Sequence, residues 1–239
     1  MPLPSVYSHG YTVGKEGNVV LASCEVAAAT PYNHGNTRIE SSSDIPTGWP
    51  SPRPIRLLDM RVIAGSLGGR RLKAPRGTVT RPTSDRVRES IFALLGDIEG
   101  ERVLDLFAGA GGLGIEAVSR GAASAVFVER DAGALRALKA NLAALEIAPE
   151  QAQVRRANAL AALRSARARE ETYDLVFIDP PYGQAHDWGP ELSTALPQLL
   201  APAARVVVES DRRARLELPM RVEHERRYGD TSIRIHRHQ

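Results

Sequence analysis

The sequence predicts an α/β fold: a doubly wound, mostly parallel sheet that ends in an antiparallel hairpin and is preceded by a small N-terminal β-hairpin. Three observations predict it. From residue 103 to residue 209, apolar runs of strand length alternate with segments of helical periodicity, which specifies parallel strands covered on both faces. A loop with glycines at 109, 111 and 114 follows the first of these runs and opens a helix. After Glu209 the alternation stops, and two further runs are joined by Gly229-Asp230, a hairpin turn signal.

The elements follow in order. Residues 1–59 are rich in Pro, Ser, Gly, Thr and Asn and lack sustained periodicity, and Ser41 to Pro54 has a linker composition. This stretch reads as a disordered extension or as sequence ahead of a translation start at Met60, and the composition favours the second. Arg61-Val62-Ile63-Ala64-Gly65 and Arg70-Arg71-Leu72-Lys73 flank a Gly-rich turn, so 60–82 forms a basic hairpin arm and 83–239 the main domain. Thr83 is placed to cap a helix carrying Val87, Ile91, Leu94 and Leu95 and ending near Gly96. Strands are expected near 103–107, 125–129, 153–157, 173–178 and 204–209. Helices are expected over 113–120, 131–146, 159–169 and 187–200. Val222 to Tyr228 and Thr231 to His236 form the last hairpin.

Two strand ends carry candidate chemistry. Asp179-Pro180-Pro181-Tyr182 closes the buried run Leu175 to Ile178, at the end where open α/β sheets bind ligands. An acid, two prolines and an aromatic make a rigid, narrow acceptor site with one stacking face, suited to a planar amine held flat. The second is the glycine loop after Val103 to Phe107. Glycines allow a tight turn and close approach to a ligand, and the following helix offers free N–H groups. The next strand ends in Glu129, which can accept both hydroxyls of a ribose. A nicotinamide dinucleotide shares this spacing. Asp105, just before the loop, would repel a pyrophosphate but can hold an ammonium group, and the acid-Pro-Pro-aromatic segment has no use in hydride transfer. S-adenosylmethionine meets both conditions. The cofactor set is Asp105, Phe107, Ala108, Gly109, Gly111, Gly114, Glu129 and Arg130. Asn158 is placed to cap the helix over 159–169.

Arg81-Pro82-Thr83-Ser84-Asp85-Arg86-Val87-Arg88-Glu89-Ser90, Asp105-Leu106-Phe107-Ala108-Gly109-Ala110-Gly111-Gly112-Leu113-Gly114, Glu116 to Gly121 and Asp179-Pro180-Pro181-Tyr182 resemble the RsmD family of 16S rRNA guanine-N2 methyltransferases. The Arg-Pro-Thr block is the specific part, and the likeness extends from about Met60 onward. Family members commonly have Ser where Ala110 stands and Ala where Gly112 stands. The resemblance implies a class I, Rossmann-like methyltransferase layout and an rRNA (guanine-N2)-methyltransferase dependent on S-adenosylmethionine. It also implies that Thr83 closes over the methionine end of the cofactor and, equally with the helix cap, an adenine contact for Asn158. Asp179 and the carbonyl of Pro180 would each accept one N–H of the target amine. Pro181 stiffens the segment, and Tyr182 stacks on the base. Adenine-N6 methylation of RNA or DNA uses the same motif and stays open from the residues alone, as does an RNA-binding protein without catalysis.

Charge indicates the partner. Net charge is +3, but Arg61, Arg70, Arg71, Lys73, Arg76, Arg81, Arg86 and Arg88 stand against only Asp85 and Glu89 in one short segment. Arg70, Arg71, Lys73, Arg76, Arg81 and Arg86 are therefore expected to bind RNA phosphate, with Arg226-Arg227 as the next candidate. The expected partner is 16S rRNA, within the small ribosomal subunit or an assembly intermediate. Cys24 is the single cysteine, no Cys/His metal spacing occurs, and His224, His236 and His238 read as solvent-exposed. No apolar run approaches a membrane span and no signal segment opens the chain, so a cytoplasmic, monomeric, metal-free protein is expected.

Overall fold

The computed structural model describes residues 60–75, 84–181, 185–211 and 215–239, with the side chains of 185–187 excepted. Residues 1–59, Arg76, Arg81, Thr83 and Tyr182 lie outside the described residues, and with them the start-site reading and the expected roles of those four side chains. The described residues fall within one compact unit.

Strands β1 (Met60–Arg61) and β2 (Arg71–Leu72) form the N-terminal hairpin, and helix α1 (Asp85–Leu95) follows. Then come β3 (Arg102–Asp105), α2 (Gly112–Ser119), β4 (Ser124–Glu129), α3 (Ala132–Ala144), β5 (Ala152–Arg156), α4 (Ala159–Ala168) and β6 (Tyr173–Ile178). Helix α5 (Ala185–Ala195), β7 (Leu200–Asp211), β8 (Arg221–Tyr228) and β9 (Thr231–Arg237) complete the chain. The seven-stranded sheet has the order β5-β4-β3-β6-β7-β9-β8. Strands β3 to β7 pair in parallel, and β9 is antiparallel to both its neighbours.

Alternate residues of the central strands feed two cores. Leu175 and Phe177 face α1, α2 and α3, while Val176 and Ile178 face α4 and α5. The first core also takes Met60, Val62 and Leu72, so the basic hairpin is packed onto the domain.

Four local expectations need correction. The hairpin pairs over only two residues per strand, because Ile63 and Ala64 give their N–H groups to the Glu116 carboxylate at 2.7 and 3.1 Å. Helix α1 is capped by Ser84, whose hydroxyl accepts the Val87 N–H at 3.4 Å, one residue after the expected cap at Thr83. The last crossover helix ends at Ala195, and a 3₁₀ turn over Pro197–Leu199 leads into β7. Pro197 lacks the N–H that would continue the α-helical ladder. His236 is buried, with Nδ1 at 3.1 Å from the Met220 carbonyl, and burial lowers its pKa so that it stays neutral.

Candidate active site

The chain order reverses between β3 and β6, so the crevice beyond their C-terminal ends is the topological switch point of the sheet. Register brings the sequence-predicted residues to that edge. Asp105 is level with Phe177 and with Phe127. Phe107, Glu129 and Asp179 therefore each lie two residues beyond one line across three adjacent strands. Strand spacing is about 4.8 Å, so β4 and β6 stand roughly 10 Å apart with β3 between them. The Ala108 N–H donates to the Val128 carbonyl at 2.9 Å, which ties the loop to the end of β4.

The loop is shaped by its glycines. Gly111 has φ 90° and Gly109 φ 55°, both left-handed. Gly114 lies against the Phe127 ring, where a Cβ would sit 2.3 Å from a ring carbon. Glu129 Oε2 accepts the Gly109 N–H at 2.8 Å, and Oε1 accepts those of Arg130 and Asp131, each at 2.7 Å. A carboxylate has about four acceptor positions, so Glu129 braces the loop and keeps a position on Oε2 for a hydroxyl. Asp105 is 2% exposed, and its Oδ2 accepts the Gly114 N–H at 3.0 Å. Burial pushes its pKa up to about 7; the Gly114 bond opposes the rise and the nearby Glu129 charge adds to it. The sequence reading gave Asp105 an ammonium group, but the structure places this carboxyl behind the loop, where it can act on a ligand through its field. Two acids at the loop make it a poor home for pyrophosphate and a good one for a cation. The residues thus fit a nucleoside-bearing sulfonium: one ribose acceptor at Glu129, where the sequence suggested two, and an acidic field at the glycine turn.

Beside the loop, Asp179 is half-buried, Pro180 buried and Pro181 exposed. Phe107 meets Trp188 of α5 edge-on, with centroids 5.3 Å apart, so Trp188 walls the crevice by packing. Asn158 caps α4: its Oδ1 accepts the Ala161 N–H at 2.8 Å. Arg130 is exposed at the mouth.

The basic arm is partly committed. Arg88 is 0% exposed, so it does not belong to the phosphate-binding charge. Arg61 pairs with Asp85 at 3.1 Å. Arg70, Arg71, Lys73 and Arg86 are exposed, and Arg70 Nη2 also reaches the Ala144 carbonyl at 2.9 Å. Sequence reading missed the residues that seat the arm. Glu116 is 0% exposed and takes two arm N–H groups together with Arg120 Nε. The Ser119 hydroxyl accepts the Leu67 N–H at 3.0 Å, and Asn141 bonds Lys73. The available signal was polar side chains on the apolar faces of α2 and α3.

Comparison with known proteins settles the family. The family described as Conserved hypothetical protein 95 matches residues 60–237. The chain belongs to the RsmD family. YlbH of Bacillus subtilis is 44% identical over 189 residues, 74% of this chain and 98% of YlbH. Ribosomal RNA small subunit methyltransferase D of Escherichia coli K12 is 40% identical over 124 residues, 52% of this chain and 60% of that protein. Among solved structures, Escherichia coli YhhF superposes with a TM-score of 0.64 at 34% identity, covering 76% of this chain and 98% of that one. The 16S rRNA N2 methyltransferase RsmC of T. thermophilus, solved with AdoMet and guanosine, superposes at 0.53 with 21% identity, over 69% of this chain and 45% of RsmC. That last likeness concerns the fold alone: this RsmD-family chain shares the methyltransferase sheet.

Proposed function

We propose that the protein transfers a methyl group from S-adenosylmethionine to the exocyclic N2 of a guanine in 16S rRNA. One observation carries the reading: the braced glycine loop after β3 and Asp179-Pro180-Pro181 after β6 meet at one switch point on neighbouring strands. Membership of the RsmD family supports the substrate, and the name of its Escherichia coli relative supports the small-subunit rRNA.

The cofactor supplies an electrophilic methyl on a sulfonium, and the rest falls to the chain. Gly109, Gly111 and Gly114 let the backbone close on the bound nucleoside, Glu129 accepts the ribose, and the field of Asp105 favours the cation. Phe107, Ala108, Arg130 and Asn158 line the same strand ends. Guanine N2 is a weak nucleophile because its lone pair is delocalised into the ring. The Asp179 carboxylate and the Pro180 carbonyl each accept one N–H, which turns the lone pair out of the ring plane. Tyr182 stacks on the base and offsets part of the few kcal/mol that unstacking costs. Orientation and placed acceptors account for the acceleration. Asp179 takes the proton once the nitrogen has become cationic and passes it to solvent.

Mass mapping of 16S rRNA nucleosides from a strain lacking the gene tests the reading. Loss of one N2-methylguanosine, restored by the parent chain and not by Asp179→Ala, is the expected result. Loss of N6-methyladenosine would transfer the assignment to adenine, and an unchanged 16S rRNA would defeat it. Purified Asp179→Ala should bind S-adenosylmethionine within a few-fold of the parent while turnover falls about a hundredfold or more.

A further inference from the structure

The glycine loop and the basic hairpin are held by the same two buried side chains. Asn141, on α3, is 2% exposed. Its Oδ1 accepts the Lys73 N–H at 2.7 Å, and its Nδ2 donates to the Lys73 and Ala110 carbonyls, both at 3.0 Å. Arg88, on α1, donates from Nη2 to the Arg61 carbonyl at 2.6 Å and to Asp85 Oδ1 at 2.7 Å, and from Nη1 to the Gly112 carbonyl at 3.3 Å. Ala110 and Gly112 flank Gly111, the most strongly left-handed residue of the loop. The carbonyls on both sides of the turn are thus held by side chains whose remaining bonds reach the hairpin or its neighbour Asp85.

Both donors of the Asn141 amide and its acceptor are engaged. A displaced hairpin would strand the buried Asn141 Oδ1 and one Nδ2 hydrogen at once, and the amide that also bonds the Ala110 carbonyl would no longer be fixed in place. Hairpin and loop therefore order together. Gly65 tightens the joint: a Cβ there would sit 1.8 Å from the Ser119 carbonyl oxygen, so the hairpin lies directly on the helix that the glycine loop opens.

We propose that Asn141 and Arg88 are positioning residues that couple cofactor binding in the glycine loop to RNA binding on the hairpin. The RNA half rests on the function proposed above; the tie between loop and hairpin does not. A ligand that fixes the loop prepays the ordering of the hairpin, and RNA held on Arg70, Arg71 and Lys73 prepays the ordering of the loop. Linkage makes the two effects equal.

Two measurements on the full chain test the coupling. The first is amide hydrogen exchange of Ile63, Ala64, Leu67 and Lys73 with and without saturating S-adenosylmethionine. The expected result is slower hairpin exchange with cofactor, abolished in Asn141→Asp, which can still accept from Lys73 N–H but can no longer donate to Ala110. Arg88→Lys serves if the first variant does not fold. Hairpin exchange indifferent to cofactor in the parent overturns the proposal, as does a response that survives both variants. The second is the cofactor dissociation constant with and without a 16S rRNA fragment. RNA should tighten cofactor binding about fivefold or more in the parent, and this ratio should fall to about one in Asn141→Asp. An unchanged ratio also overturns the proposal, since a merely structural residue would weaken binding without altering the ratio. Failure of the RNA assignment alone has a different signature: cofactor slows hairpin exchange, but Arg70, Arg71 and Lys73 together changed to Ala leave RNA affinity and its salt dependence as they were.

Discussion

Replacing Asp105 by Asn should stabilise the protein above neutral pH while weakening its hold on the cofactor. The carboxyl is buried, with one bond from the Gly114 N–H. Its ordinary pKa is 3.8, and burial raises it to about 7 in the folded state. The folded chain thus holds a proton that the unfolded chain releases. Asp105 contributes its full stability below pH 3.8 and loses it as pH rises through about 7. At about 1.36 kcal/mol per pH unit the gap corresponds to about 4 kcal/mol of charge burial above pH 7, an upper figure. Asn keeps an oxygen for Gly114 but buries an amide whose donors cost about 1–3 kcal/mol if unpaired. The net gain is about 1–3 kcal/mol at pH 8, shrinking to nothing or reversing near pH 4. Urea unfolding of parent and variant from pH 4 to pH 8.5 measures it, and the difference between the chains isolates this one group. The two curves should diverge by about one proton's slope between pH 4 and 7 and then run parallel. Curves parallel throughout would show that Asp105 ionises at its ordinary pH. In the same preparations, parent affinity for the cationic cofactor should rise as pH passes 7, and variant affinity should stay level.

Three further outcomes follow from the same geometry. Glu129→Ala removes both the ribose acceptor and the brace on Gly109, so cofactor affinity should fall by about 2–4 kcal/mol with RNA affinity kept; calorimetry showing equal affinity would remove Glu129 from the site. Gly114→Ala forces a Cβ to 2.3 Å from a Phe127 ring carbon, so thermal unfolding should report a loss of about 1–3 kcal/mol from overpacking, and an unchanged midpoint would mean the ring can move aside. Changing Arg70, Arg71 and Lys73 to Ala should lower the salt slope of RNA binding by about 0.7–0.9 for each phosphate no longer neutralised. The melting temperature should hardly move, because the Lys73 backbone, which Asn141 holds, is unaltered; coincident slopes would place the RNA surface elsewhere, with exposed Arg226 and Arg227 next in line.

By itself the sequence determined the parallel sheet, its closing hairpin and the two chemical strand ends. These signals are local: period-two and period-3.6 patterning, a glycine loop between strand and helix, and an acid followed by two prolines all act within a few residues of one another. Tertiary structure decided which polar residues face water. Arg88 and His236 look like surface charge in a linear reading, and both are 0% exposed. Glu116 stands in a family segment and Asn141 in none, but neither carries a local signal that it seats the arm, because the arm groups they hold lie 52 or more residues away in sequence for Glu116 and 68 for Asn141. Asp105 was legible as an acid beside the loop, but its direction was not. A side chain at a strand end can turn toward a ligand or back onto its own helix, and the Gly114 N–H, reachable only once α2 has packed against Phe127, turns it back.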